Sequence, residues 1–384
     1  MNIVSLFDGA SCAMVAIKKN KIKIDNYYAS EIDYNAIKVS LKNWPGIRHV
    51  GGVSNFNKFN FPHVFESKID ILIGGSPCQD LSIAKKDRKG LDGDRSGLFW
   101  EYVRILKELK PKYFILENVA SMPNKDRDII TKALGVNPIM INAALVSAQQ
   151  RKRLFWTNIQ GVSQPDDKNI LLRDIIHETR GEVFDVEKYI IKGDHLKWVK
   201  KNDIQIEGVA MRNRGEGKKL EQNRSEKANS LTTVQTDSCV RIGEIGKGGQ
   251  GGRIYSIKGK SVSLSANGGG GGAKTGLYLI VKEATKKGVV YAEYGDSVDL
   301  SFPNSKTRRG RVGKKAKNLM TSSTIAVVGN GYVRKLTPTE CERLQSLPDG
   351  YTSGTTDGHR YKICGNAFNA DVVAHILSFI PKNK

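Results

Sequence analysis

The sequence predicts an α/β fold: a doubly wound sheet with an irregular, β-rich segment set into it. Three observations carry that reading. Strand-like and helix-like segments alternate over residues 1–160, glycine rises and helical periodicity fades over 166–333, and ordinary globular composition returns from 334 onward. At 384 residues the chain is too long for one ordinary core and suits two domains, one interrupted by the other. The expected division is 1–165 and 334–384 for the first domain, with 166–333 between them.

In the first stretch, Asn2 to Phe7 reads as a buried strand that ends on the Asp8-Gly9 turn, and Ser11 to Asn20 reads as a helix. Tyr27 to Ser30 is a second strand, followed by the acidic Glu31. Ile69 to Ile73 is a third, running into Gly74-Gly75-Ser76-Pro77. Leu98 to Leu109 has helical periodicity, and Tyr113 to Leu116 is a strand followed by Glu117-Asn118. In sheets of this kind the ligand sits beyond the carboxyl ends of the strands. Glu31, Cys78 and Glu117 should therefore share one edge.

The middle segment is rich in glycine at Gly246–Gly252 and Gly268–Gly272, and strand-like pieces such as Gly276 to Val281 are separated by turn residues. A weak repeat runs through it. Lys227-Ala-Asn-Ser-Leu, Lys260-Ser-Val-Ser-Leu and Lys315-Ala-Lys-Asn-Leu each follow an arginine-bearing stretch, at Arg212-Asn-Arg214, Arg253-Ile-Tyr255 and Arg308-Arg309-Gly-Arg311. Chance in a Lys/Ser/Thr-rich region explains this as well as a set of loops presenting cations to phosphates and base edges does. At the C-terminal end, Thr337 to Leu347 reads as a helix with Pro338 in its first turn, and Asp371 to Phe379 as an apolar-periodic helix that packs back on the first domain.

Net charge is +22, which points to a polyanionic partner, nucleic acid first. Residues 161–333 hold 30 Lys+Arg against 19 Asp+Glu, half of that surplus, so the excess is spread over the body as a broad basic face. The opening Met-Asn-Ile-Val-Ser-Leu-Phe does not read as a signal peptide, and no apolar run reaches membrane-spanning length. A soluble, intracellular protein is expected. The five cysteines (Cys12, Cys78, Cys239, Cys341, Cys364) are scattered and form no C-x-x-C pair. Neither a metal site nor a disulfide framework is indicated, and the compartment is a reducing one.

Four motifs carry chemistry. Gly74-Gly75-Ser76-Pro77-Cys78-Gln79 holds a cysteine on a rigid turn just after a strand, and Lys85, Lys86, Arg88, Lys89 and Arg95 follow. Nearby cations raise the thiolate fraction that a cysteine nucleophile needs. Alone, the motif would more often be a buried cysteine packing as a small apolar residue. Glu117-Asn118-Val119 offers an acid at the same edge; alone it would be a solvated carboxylate, but an acid there can protonate a ring nitrogen. Thiolate and acid together suit attack on an electron-poor ring. Leu6-Phe7-Asp8-Gly9-Ala10-Ser11 with Glu31 is a glycine turn followed by a ribose-binding acid. It lacks the full G-x-G-x-x-G spacing and so favours a cofactor with adenosine and no pyrophosphate. Gln149-Gln150-Arg151-Lys152-Arg153 is either a solvated basic run or a set of anion and carbonyl contacts.

In this order the motifs resemble those of the cytosine-5 DNA methyltransferase family, over residues 1–160 and about 330–380. Arg334-Lys-Leu-Thr-Pro-Thr-Glu-Cys-Glu-Arg-Leu-Gln345 resembles the family's penultimate motif and Gly365-Asn366-Ala367 its last. The catalytic half looks most like the animal de novo enzymes; the middle does not, which suits a bacterial or phage member. The resemblance implies a Rossmann-like, S-adenosylmethionine-dependent methyltransferase sheet with an inserted target-recognition domain. Cys78 would attack cytosine C6, Glu117 would protonate or hydrogen-bond N3, and Arg151 and Arg153 would hold the flipped base and orient Glu117. Phe7 and Ile32 would sandwich the adenine and Glu31 would bind the ribose hydroxyls. Asp8, Gly9, Ala10, Ser11, Val53, Pro77, Leu98 and Asn366 would complete the cofactor pocket. The loop from Gln79 to Arg95, with Ser82 and Arg88, would close over duplex DNA, and Arg212, Arg253, Arg308 and Arg309 would contact it. The enzyme is expected to act as a monomer, with a cognate restriction enzyme as a partner that the resemblance allows.

The chain departs from the family pattern at Gly51-Gly52-Val53, where most members carry Gly-Asp, and at Ser11, where many carry glycine. The missing aspartate usually touches the adenine amino group, so cofactor affinity is expected to be weakened. Rival readings are a tRNA cytosine methyltransferase, a catalytically silent DNA-binding relative and a nicotinamide-dependent enzyme. The large basic middle segment disfavours the first, intact Cys78, Glu117 and Arg153 the second, and the incomplete glycine fingerprint the third.

Overall fold

Four apolar runs, Ile3–Leu6, Tyr27–Ala29, Ile71–Ile73 and Phe114–Leu116, are buried almost completely, as parallel strands covered on both faces must be. A computed structural model describes residues 1–77, 96–176, 183–184, 196–200, 208–213, 218–223, 238–244, 253–260, 277–284, 289–300, 305, 307, 310–319, 325–328 and 333–381. By its internal contacts the chain divides into two units, one formed by Met1–Ile175, Lys317–Ser323 and Thr337–Lys384, the other by Ile176–Ala316 and Thr324–Leu336. The sequence had suggested divisions at 165/166 and 333/334.

The first unit is built on a seven-stranded sheet: β1 (Asn2–Leu6), β2 (Asn26–Ser30), β3 (Arg48–Gly51), β4 (Ile71–Gly74), β5 (Tyr113–Val119), β6 (Ile139–Asn142) and β7 (Lys152–Thr157). Their order across the sheet is β3-β2-β1-β4-β5-β7-β6. β1 to β5 run parallel, whereas β7 is antiparallel to both β5 and β6. The order reverses between β1 and β4, which opens the crevice where such sheets bind ligands. Side chains alternate between two cores. Ile3, Ile71, Ile73, Ile115 and Phe155 belong to one, and Val4, Leu6, Leu72, Leu116, Leu154 and Trp156 to the other.

Helices cover both faces: α1 (Cys12–Lys19), α2 (Tyr34–Asn43), α3 (Pro62–Phe65), α4 (Phe99–Leu109), α5 (Asn124–Leu134), α6 (Pro338–Leu344), α7 (Asp357–Asn366) and α8 (Ala370–Leu377). Their ends follow local chemistry. The Asp33 side chain accepts from the backbone N–H groups of Asn35 and Ala36 to cap α2. Gly135, at φ 69°, terminates α5. Thr337 and Glu340 form a reciprocal capping box at α6, with Pro338 in its first turn. The apolar stripe of α8 (Val372, Val373, Ile376) joins the core of α1 (Ala13, Ala16, Ile17). The C-terminal segment thus completes the first unit, as its periodicity predicts.

β5 differs from expectation. It continues through Glu117 and Asn118 to Val119, because the antiparallel partner β7 pairs with it up to Val119↔Arg153. Glu117 therefore lies within the strand and takes the strand's rigidity.

In the second unit all the described elements are strands. β10 (Gly208–Asn213) and β11 (Lys218–Asn223) form an antiparallel hairpin. β12 (Ser238–Glu244), β13 (Arg253–Lys260), β14 (Leu277–Lys282) and β15 (Val289–Tyr291) form one sheet, with β9 (Leu196–Lys200) added on β14. β8 (Val183–Phe184) and β16 to β19 (Ser297–Asp299, Val312–Gly313, Ile325–Val328 and Val333–Lys335) form another, around Val298, Leu300, Ala326 and Val328. This is the irregular, β-rich insertion expected. Among the described residues, no helix is long and apolar enough to cross a membrane, and no cluster of His, Cys, Asp or Glu is arranged to hold a metal.

Candidate active site

Strand register alone gathers the site. Leu6 of β1 pairs with Ser30 of β2 and with Gly74 of β4, and Gly74 pairs with Leu116 of β5. The next residue on each strand is Phe7, Glu31, Gly75 and Glu117, so one row at the carboxyl edge carries all four.

On the β1–β2 side the backbone turns sharply. Phe7, Gly9 and Ser11 all have left-handed φ values, 56°, 61° and 58°. Only glycine adopts this region without strain, so two of the three must be held. Gly9 N–H donates to Glu31 Oε2 at 2.8 Å, and the N–H groups of Ile32 and Asp33 donate to Oε1 at 2.7 and 2.8 Å. Three backbone donors fix the Glu31 carboxylate at the edge. Asp8 faces inward: its carboxylate accepts from the Ser11 hydroxyl and, at 2.7 Å, from Tyr27 Oη. Burial pushes Asp8 up to about 6, against the hydrogen bonds from Ser11 and Tyr27 that lower it. Ser11 and Ala10 are buried as well, whereas Phe7 is half-buried, so from Asp8 to Ser11 only the backbone is placed to meet a ligand.

Ile32, beside that carboxylate, is 80 % exposed, an unusual state for a large apolar side chain at a strand end. Val53 is buried. A fixed carboxylate for paired hydroxyls, an uncovered apolar side chain next to it and a backbone turn without basic groups fit S-adenosylmethionine. They do not fit a pyrophosphate. Leu98 is half-buried in the short turn before α4, and Asn366 is exposed at the last position of α7.

On the β4–β5 side, a side chain at Gly75 would lie 3.3 Å from Glu117 Oε2, so this turn runs against the carboxylate. Asn118, almost wholly buried, donates through Nδ2 to Ser76 O at 3.2 Å and Ser76 Oγ at 3.1 Å. The turn that leads through Pro77 to Cys78 is thereby tied to β5. Cys78 itself, with Gln79, Ser82, Arg88, Arg308 and Arg309, lies outside the described residues; Arg212 and Arg253 lie on β10 and β13. Burial pushes the thiols of Cys12, Cys341 and Cys364 upward, Cys12 to about 12, so none of these three supplies a thiolate.

The two arginines of β7 and the turn before it diverge. Arg153 Nε lies 2.8 Å from Glu117 Oε1, with both side chains largely buried. The contact is an ion pair and not an aligned hydrogen bond, since no described donor is aimed at Oε1. Arg151 instead reaches the C-terminal segment, donating to Ala367 O at 2.7 Å and Gly365 O at 3.4 Å, and the Lys317–Ser323 stretch, donating to Asn318 Oδ1 at 2.9 Å. The structure thus brings Glu117 and Arg153 together, and Arg151 secures the Gly365–Ala367 stretch. Neither the Asn118–Ser76 link nor the Arg151 contacts had a signal in the sequence, because each joins polar residues far apart in the chain.

A family model described as C-5 cytosine-specific DNA methylase matches residues 1–382. The chain is similar to the type II methyltransferase M.HhaI of Haemophilus parahaemolyticus, 27% identical over all of this chain and 94% of that one. It is also similar to the orphan methyltransferase M.SPRI of Bacillus phage SPR, 26% identical over 98% of this chain and 96% of that one. Among solved structures, the Entamoeba histolytica methyltransferase EhMeth shares the fold, with a TM-score of 0.54 at 12% identity over 99% of this chain and 97% of that one. The row of turn, carboxylates and arginine at one sheet edge therefore has a family: the chain belongs to the C-5 cytosine-specific DNA methylases, enzymes that transfer a methyl group from S-adenosylmethionine to carbon 5 of cytosine in DNA.

Proposed function

We propose that Cys78, Glu117 and Arg153 carry this reaction on a cytosine flipped out of duplex DNA at a specific sequence. Ring carbons inside the stack are out of reach, so the base must leave the helix. The Cys78 thiolate bonds to C6 as the C5–C6 π bond opens, and a proton held by Glu117 is given to or shared with N3, where the displaced electron density collects. Arg153 holds the Glu117 carboxylate in place and supplies the positive charge. When bound, S-adenosylmethionine supplies the methyl group that C5 accepts. A base, water being the simplest, then takes the C5 proton, Cys78 leaves C6 as the thiolate and the N3 proton returns to Glu117, which restores the aromatic ring. The observation that carries this reading is the placement of Glu117 between Arg153 and the Gly75–Pro77 turn that leads to Cys78.

Phe7, Ile32 and Glu31 bind the adenosine, and Asp8, Gly9, Ala10, Ser11, Val53, Pro77, Leu98 and Asn366 shape the rest of that pocket. Arg151 acts on the same site through the Gly365–Ala367 backbone. Gln79, Ser82 and Arg88 lie over the DNA, and the second unit reads it through Arg212, Arg253, Arg308 and Arg309. The enzyme works as a monomer in the cytoplasm, on nucleoid DNA.

Duplex DNA bearing 5-fluorocytosine is the test, because fluorine at C5 blocks the last elimination. The wild-type chain with S-adenosylmethionine is expected to form a covalent adduct that survives denaturing electrophoresis, and Cys78→Ala none. An adduct of equal yield with Cys78→Ala would overturn the assignment. Sequencing methylated host DNA after expression of each protein then gives the sequence recognised.

A further inference from the structure

Tyr351 lies 340 residues from the cofactor turn in sequence and against it in space. Its side chain is buried, and its hydroxyl shares its single hydrogen between Ala10 O at 2.7 Å and Ser11 O at 3.1 Å. The same oxygen accepts from Trp44 Nε1 at 2.8 Å, and Asn43 Nδ2 donates to Tyr351 O at 2.8 Å. Burial pushes the phenol far above its ordinary range, so it remains a donor at every working pH. The loop that carries it is anchored too. The fully buried Glu342 accepts from the N–H groups of Gly350 and Thr352 at 2.7 and 2.8 Å, and it pairs with Arg360 at 3.0 Å.

What Tyr351 touches makes it informative. Ser11 is at φ 58°, ψ 41°, a left-handed position for a residue with a Cβ, at the start of α1. Its side chain is bonded to Asp8 and, at 2.6 Å, to Ser40 Oγ. Its carbonyl and the one before it are those that Tyr351 holds. Side-chain bonds fix one half of the Ser11 geometry and the Tyr351 hydroxyl fixes the peptide planes on either side of it. A glycine would need neither.

We propose that Tyr351 is a positioning residue for S-adenosylmethionine binding: by bonding the Ala10 and Ser11 carbonyls it holds the Phe7–Ser11 turn in its strained, binding-competent form. The proposal rests on the reading that this turn binds the cofactor. It adds a residue outside that turn, on the C-terminal segment, to the determinants of affinity.

Tyr351→Phe removes the hydroxyl and keeps the ring, so the core is preserved. Titration of the full-length variant with S-adenosylhomocysteine by calorimetry is expected to show a dissociation constant about 3- to 10-fold higher, the effect of one hydrogen bond. In steady state, KM for S-adenosylmethionine should rise by the same factor while kcat at saturating donor is unchanged. An unchanged dissociation constant overturns the proposal, and so does a fall in kcat matching the rise in KM, which marks general loosening. Glu31→Ala, titrated alongside, separates the two readings. If it too leaves binding unchanged, the turn is not the cofactor site. If it weakens binding and Tyr351→Phe does not, only the role of Tyr351 fails.

Discussion

Arg153 stands opposite Val119 in the β5–β7 pair, two residues along from Glu117, and reaches diagonally across the ladder to place Nε 2.8 Å from Glu117 Oε1. Diagonal neighbours on one face of an antiparallel pair are within reach of long side chains, so the contact follows from register alone. Glu117→Gln is expected to lower the single-turnover methylation rate by about 10²- to 10⁴-fold, the usual contribution of a positioned acid. Arg153→Ala should lower it less. The double variant should be no slower than Glu117→Gln, because the arginine acts through the acid. Additive losses in rapid-quench measurements would show that the two act separately.

The adjacent glycines at the end of β4 should respond differently. A Cβ at Gly74 would lie 2.9 Å from two ring carbons of Tyr102 and 3.2 Å from Leu6 O. Tyr102 is fully buried and cannot yield. Gly74→Ala is therefore expected to cost about 1–3 kcal/mol in urea denaturation, the usual penalty of overpacking. At Gly75 the nearest atom is Glu117 Oε2 at 3.3 Å, the end of a side chain that can move. Gly75→Ala should leave the denaturation midpoint nearly unchanged and slow methyl transfer. Equal effects of both on stability would show that Glu117 is not displaced.

Much of this was legible in the sequence because it depends on local pattern. The apolar runs of β1, β2 and β4 and the acids after them mark the sheet edge without any knowledge of pairing. β7 was not legible, since Lys152–Thr157 begins with two cations and becomes a strand only by pairing between β5 and β6. With it went the length of β5 and the placement of Glu117 inside the strand. Trp44, Ser40 and Tyr351 were missed for the same reason: each acts through a partner distant in sequence, and Tyr351 lies in a turn-rich stretch with no periodicity to mark it. The motif Gln149–Arg153 reads as one basic run, yet Arg151 lies in the turn before β7 and Arg153 on the strand itself, and the two reach different targets.

Gly52 should limit cofactor affinity. It lies in extended backbone at φ −72°, ψ 143°, open to any residue. An added Cβ would lie 3.3 Å from Ile32 Cγ2, on a side chain that is exposed and free to shift. Gly52→Asp is accordingly expected to fold and to place a carboxylate beside the adenosine side of the turn. Its dissociation constant for S-adenosylhomocysteine should fall several-fold, on the order of one charge-assisted hydrogen bond. Equal constants for the two proteins in parallel titrations would refute the idea.

Asp8 should make stability depend on pH in an inverted sense. Its carboxyl is raised from 3.8 to about 6, chiefly by burial. Between about pH 4 and 6 the folded chain keeps a proton on Asp8 that the unfolded chain has lost, so the folded state binds more protons there. Stability from this group is present in full below pH 4 and declines as pH rises to 6; above that the deficit is constant. The rise from 3.8 to about 6 corresponds to roughly 3 kcal/mol. Asp8→Asn removes the ionisation and retains an oxygen to accept from Tyr27 and an amide to donate to Ser11 Oγ, whose own hydrogen then turns to Ser40. Denaturation midpoints from pH 4 to 7 should therefore fall less steeply for the variant than for the wild type, with the variant the more stable of the two at pH 7. Parallel profiles would mean that Asp8 is already ionised in the folded protein at pH 4, and that the Ser11 and Tyr27 hydroxyls outweigh its burial.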